Sequence, residues 1–82
     1  MNEVNEISLT IKFFANLREL GPAKSIDKFP KGTTVRNVLD KYHIPYIDMK
    51  LIILINGKPH TPLDHLLNNG DILAVFPPLA GG

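Results

Sequence analysis

The sequence predicts an α+β roll, a mixed sheet packed on one amphipathic helix, and three observations lead there. Apolar and polar residues alternate strictly from Ile7 to Phe13, the period-two signature of a strand with one covered and one open face. Val35, Val38, Leu39 and Tyr42 recur at i, i+3, i+4 and i+7, which sets a single apolar stripe on a helix. The run Leu51 to Ile55 is wholly apolar and too short for a helix. It ends in Asn56-Gly57, a strong hairpin signal because a type I′ turn needs two residues at positive φ. A single helix can cover only one face of a sheet.

In the first strand the alternation points Ile7, Leu9, Ile11 and Phe13 to the core. If it continues, Phe14 joins Thr10 and Lys12 on the open side. Ala15 to Leu20 reads as a short helical or irregular turn closed by Gly21-Pro22. Lys24 to Phe29 is a weaker strand with Ile26 as its main apolar residue, ended by Pro30-Lys31-Gly32. Thr33 or Thr34 then offers an N-cap hydroxyl, and Arg36, Asp40 and Lys41 fall on the wet side of the helix. Pro45 ends the helix near His43. Leu51 to Ile55 is predicted to be a central strand. Lys58-Pro59-His60 can return only as a short or edge strand, because proline donates no ladder bond. Asn69-Gly70-Asp71 marks a turn, Ile72 to Phe76 forms the last strand, and Pro77-Pro78 stops it. The order β-β-α-β-β-β is the element pattern of a ubiquitin-like β-grasp, with one domain over 1–76 and a flexible tail over 77–82.

Composition narrows the function. Eighty-two residues allow one domain, and 44% hydrophobic content is enough for a core without a staple. The absence of cysteine excludes disulfides, thiolate metal sites and a cysteine nucleophile. Nine Lys+Arg against eight Asp+Glu argue against a nucleic-acid binder, which needs a concentrated basic face. No apolar run approaches the roughly 18–20 residues of a membrane span, and the polar start MNEVNE does not resemble a signal peptide. A cytoplasmic location is the expectation. His43, His60 and His65 lack metal-ligand spacing, so no metal and no bound cofactor are expected. Asp64 and His65 are adjacent and rarely could face one another, and no serine nucleophile accompanies them. Pro59-His60-Thr61-Pro62 fits a PxxP pattern but sits in a loop between strands. None of the glycines forms a phosphate-binding loop.

The C-terminus carries more. Two terminal glycines arise by chance in only about 0.5% of chains at average glycine usage. Gly81-Gly82 follow Pro77-Pro78, whose fixed φ stiffens the exit from the last strand. A tail of six residues, 77–82, reaches about 20 Å at most. It suits a narrow partner site where only glycine allows the backbone to approach. A carboxylate on such an arm is a plausible substrate for adenylation, after which the acyl adenylate can be attacked by a sulfur nucleophile. A frayed end is the plain alternative.

Ile11 to Leu20 (with FFANLRE at its centre), Gly32-Thr33-Thr34-Val35, Ile55-Asn56-Gly57, Asn69-Gly70-Asp71 and above all Phe76-Pro77-Pro78-Leu79-Ala80-Gly81-Gly82 resemble the MoaD/ThiS family of β-grasp sulfur carriers. The likeness runs from about Ile7 to Gly82. The FFA-x-LRE opening and FPP-x-AGG ending are more similar to carriers serving molybdopterin synthesis than to the thiamine carrier. The resemblance implies that an E1-like adenylating enzyme uses ATP to activate the carboxylate of Gly82. A sulfur donor of the cysteine desulfurase or rhodanese type then converts it to a thiocarboxylate. The tail next enters the large subunit of molybdopterin synthase and gives up its sulfur there. Gly82 would bear the sulfur and Gly81 would keep the tail thin. Phe14 and Phe76 match partner-facing positions, although core packing is an equal alternative for Phe76. Arg18 would touch a partner or pair with Glu19 or another neighbour. Pro59 departs from the family, which often carries an aliphatic contact residue there. Sulfur carriage for thiamine, cysteine or tRNA thiolation, conjugation to proteins through Gly82, and an inert tail on a binding module are the rival functions.

Overall fold

A computed structural model of the chain describes residues 5–47, 50–59 and 61–78. Strand β1 (Glu6–Phe13) is followed by a 3-10 helix (Ala15–Glu19), β2 (Ser25–Pro30), helix α1 (Val35–Lys41), β3 (Ile52–Ile55) and β4 (Ile72–Phe76). The sheet order is β2-β1-β4-β3. β1 runs antiparallel to β2 and parallel to β4, and β3 runs antiparallel to β4. This is the mixed, one-helix β-grasp that the element pattern predicts.

The alternation of β1 holds residue by residue. Ile7, Leu9, Ile11 and Phe13 are buried, as are Leu73 and Val75 of β4 and Ile53 and Ile55 of β3. Val35, Val38 and Leu39 of α1 close this core from one side. Tyr42 sets its ring edge-on to Phe13, with centroids 5.2 Å apart.

Three expectations need correction. Leu51 to Ile55 does not supply a central strand. β3 is an edge, because β4 takes the place beside β1. Its unbroken apolar run reflects two different surroundings, with Ile53 and Ile55 in the core and Ile52 and Leu54 on the far face. Ile26 is not the core residue of β2. The register Thr10↔Ile26 places it on the open face, where it is 68% exposed, and Ile7↔Phe29 turns Phe29 inward instead. The fifth strand reduces to one bridge, Ile55↔Lys58, since Pro59 lacks the N–H a longer ladder needs. His60 lies outside the described residues. The hairpin itself is as predicted, with Asn56 at φ 52° and Gly57 at φ 83°.

Helix α1 has seven residues, too few to be stable alone, so its ends depend on the rest of the chain. At its start every free amide finds an acceptor. Val35 donates to the His65 carbonyl at 3.1 Å and Arg36 to that of Leu63 at 3.0 Å. Asn37 N–H donates to Thr34 Oγ1 at 3.2 Å, and the Asn37 side chain accepts from Thr34 N–H at 3.0 Å, closing a capping box. The connection 61–67 is therefore the acceptor set for the helix. At the other end His43 adopts φ 56°, and Ile44 N–H returns to the Leu39 carbonyl at 2.9 Å. That is a Schellman closure, with Ile44 buried at its base. It stops the helix before Pro45 acts.

A second clamp joins the helix end to β2. The Tyr42 hydroxyl donates to Asp27 Oδ2 at 2.5 Å, and Ser25 Oγ donates to the same oxygen at 3.0 Å. The Tyr42 bond lowers the Asp27 pKa, assisted by Ser25 and the charge of Lys41 and opposed by desolvation. Burial first, and then Asp27, raises that of Tyr42. Stability from Asp27 is present above the ordinary carboxylate value and is lost as pH falls through its lowered one. Stability from Tyr42 is present below the ordinary phenol value and is lost as pH rises through its raised one.

Tyr42→Phe is thus expected to cost about 1 kcal/mol near neutral pH. It should also flatten both the acid and the alkaline limbs of stability, measured by urea unfolding across pH 2–11. His43→Gly is expected to raise stability by up to about 1 kcal/mol by relieving the left-handed backbone. Gly21 shows the opposite constraint, since an added Cβ would lie 2.3 Å from Phe13 Cε2. Gly21→Ala is therefore expected to lower the urea midpoint by the equivalent of about 1–3 kcal/mol.

Candidate functional site

The parallel pairing of β1 with β4 builds the site. In that register Thr10 lies opposite Ile72, Lys12 opposite Ala74 and Phe13 opposite Val75. One step further, Phe14 N–H donates to the Val75 carbonyl at 3.1 Å, so the ladder carries Phe14 alongside Phe76. Both rings stand on the sheet face that α1 leaves open. They stack with centroids 4.1 Å apart and planes 8° from parallel. The two residues singled out in the sequence therefore form one feature. Phe76 is half-buried against Phe14 and not in the core.

Arg18 completes the group. Its guanidinium carbon lies 6.0 Å from the Phe14 ring centroid, and Nε donates to the Phe13 carbonyl at 3.3 Å. It makes no ion pair with Glu19. Among the described residues the one ion pair is Arg36 with Asp64, on the far side and well exposed. Ala15 sets this geometry. It has φ 56°, a left-handed backbone at a non-glycine residue, just where the chain leaves β1 for the 3-10 helix. The turn lets Phe14 stay in the ladder while Arg18 comes back over its ring.

The open face extends beyond the phenylalanines. Ile52 pairs with Phe76, Leu54 with Ala74, and Ile26 with Thr10. Three strands thus add apolar side chains to the stacked rings, and Ile26, Ile52 and Ile72 are among the exposed large hydrophobics. Only the alternation of β1 hinted at this in the sequence. Contributions from β2 and β3 needed the register.

The tail leaves from the same end. β4 stops at Phe76, after which Pro77 is half-buried and Pro78 exposed. The reactive group assigned to Gly82, and the tail positions Leu79, Ala80 and Gly81, lie outside the described residues. Elsewhere Asn56, Asn68 and Asp71 are engaged in the fold. Asn56 Nδ2 donates to Asp71 Oδ1 at 2.9 Å, Asn56 Oδ1 accepts from Ile72 N–H at 2.9 Å, and Asp71 Oδ2 accepts from Asn68 N–H at 2.8 Å. Among the described residues no three His, Asp or Glu converge as a metal site. The arrangement is an exposed apolar sheet face with a chain exit at its rim.

Ala15→Val is expected to cost about 1–2 kcal/mol more than Ala15→Gly, because a β-branched residue tolerates positive φ worst. Urea unfolding of the two variants checks it.

Residues 11–82 match the ThiS family. A molybdopterin synthase sulfur carrier subunit of Haemophilus influenzae is 37% identical over 81 residues, covering 90% of this chain and 99% of that protein. Small archaeal modifier protein 3 of Haloferax volcanii is 34% identical over 92 residues, covering 93% of this chain and all of that one. Among solved structures, the Haloferax volcanii HVO 2177 protein is similar over the whole chain and 92% of its own, with a TM-score of 0.80 at 26% identity. The sheet order, the Phe14–Phe76 end of the sheet and a match over all but the first ten residues agree: the chain belongs to the ThiS family.

Proposed function

We propose that the chain is the sulfur-carrying small subunit of molybdopterin synthase, a co-substrate whose catalytic groups are supplied by its partners. The observation that carries this reading is the stacked Phe14–Phe76 pair at the end of the sheet where β4 gives way to Pro77-Pro78. Half-exposed aromatic side chains, Phe among them, are enriched at protein interfaces. A partner seated on them is in reach of a tail of six residues, about 20 Å at full extension. The relative from Haemophilus influenzae, a sulfur carrier subunit of molybdopterin synthase, supports the pathway.

In this proposal the Gly82 carboxylate oxygen attacks ATP in an E1-like enzyme and pyrophosphate leaves. The outer sulfur of a persulfide on a separate donor then attacks the acyl carbon and AMP leaves; a thiol next attacks the donor-side sulfur of the resulting acyl disulfide, closing a disulfide with the donor and releasing the thiocarboxylate. The chain binds no cofactor of its own, and ATP belongs to the activating enzyme. Pro77 and Pro78 stiffen the exit, while Leu79 to Gly81 thread the tail into the large subunit. Phe14, Phe76 and Arg18 form the seat.

After incubation with ATP, the activating enzyme and a sulfur source, intact mass spectrometry is expected to show a gain of about 16 Da at the C-terminus, S replacing O. The relative named as an archaeal modifier protein marks the competing outcome, higher-mass conjugates on other proteins. An unchanged mass beside an active activating enzyme contradicts both. Phe14→Ala is expected to weaken binding to the large subunit by about 10–100-fold, by calorimetry, with the fold intact.

A further inference from the structure

We infer that the partner surface covering the open sheet face carries a carboxylate opposite Lys12, and that Lys12 thereby selects among apolar partners. This rests on the docking face proposed above. The Lys12 side chain is half-buried on the open face, level with Ala74 of β4 and flanked along β1 by Thr10 and Phe14. On one side of it stand the stacked Phe14 and Phe76. On the other stands the row that the Thr10 pairings define, Ile26 and Ile72 on either side of Thr10. A partner that buries both apolar rows must also cover Lys12.

Nothing on the described surface neutralises it. Among the described residues Lys12 makes no ion pair, and the other cations near this face, Lys28 on β2 and Arg18, only add to the charge. Asp27 and Asp71 belong to the clamps with Tyr42 and with Asn56 and Asn68. Glu6 shares the open face but lies six residues up β1, roughly 20 Å away at the strand rise. Desolvating an unpaired ammonium costs more than the burial of one isoleucine returns. The seat is therefore complementary to an apolar surface with an Asp or Glu near its centre, and repels one with a central Lys or Arg.

The test measures affinity for the large subunit of molybdopterin synthase from the same genome, with wild type, Phe14→Ala, Lys12→Met and Lys12→Glu compared by calorimetry at two salt concentrations. Folding of each variant is verified by its thermal transition. Lys12→Met keeps the length and apolar stem of the side chain and removes only the charge. If a partner carboxylate faces it, Lys12→Met weakens binding at least about tenfold, Lys12→Glu weakens it further, and the salt dependence becomes shallower in Lys12→Met. If no carboxylate is there, Lys12→Met binds as well as wild type or better, because a desolvation cost has gone. That result with Phe14→Ala still impaired overturns the carboxylate and leaves the docking face standing. Failure of the wild type to bind the large subunit overturns the proposed function and this inference with it.

Discussion

The parallel pairing of β1 with β4 is the constraint on which the rest of the structure depends. It places the first and last strands side by side in the middle of the sheet and leaves β2 and β3 as edges. A parallel pair needs a long crossover, and here the crossover includes everything between Phe13 and Ile72. The helix and the connection 61–67 are held by the same arrangement. The helix supplies the apolar stripe that closes the core, and the connection supplies the carbonyls that finish the helix. The same register sets Phe14 against Phe76. A shift of one residue would turn every side chain of β4 to the opposite face and part the two rings.

Much of this was legible beforehand because it is written in periods. The alternation of Ile7 to Phe13 and the helical spacing of Val35, Val38 and Leu39 identified buried residues correctly, because side-chain direction in those elements follows from chain geometry alone. Phe14 on the open face followed from the same alternation. Ile26 and Phe29 were different. Both are large and apolar in one short strand, and only the antiparallel register with β1 decides which faces the core. The edge position of β3 was hidden for a related reason. An apolar run reads as buried on both faces, whereas here its outer half is exposed surface with a use. Nothing local in Ala15 or His43 foretells a left-handed backbone. Each is imposed by what lies beyond it, the return of Arg18 over Phe14 in one case and the burial of Ile44 in the other.

The chemistry proposed for the chain fits this division of labour. Every buried polar side-chain atom among the described residues has a partner, several of them in the clamps and caps of the fold. A chain without cysteine has no thiol of its own on which to carry sulfur, in keeping with the proposed use of a carboxylate activated by a partner. Stability and the proposed recognition surface therefore sit on opposite sides of the sheet. The helix face carries the core, and the open face is left exposed.

The central claim is that the open face, and not the helix face, receives the partner. Backbone amide chemical-shift mapping of the labelled chain, titrated with the unlabelled large subunit, tests it most directly. The largest changes are expected at Lys12, Phe14, Arg18, Ala74 and Phe76, with Arg36, Asp40 and Asp64 on the helix side unmoved. Changes concentrated on α1 and on 61–67, with the Phe14–Phe76 end of the sheet undisturbed, would contradict it.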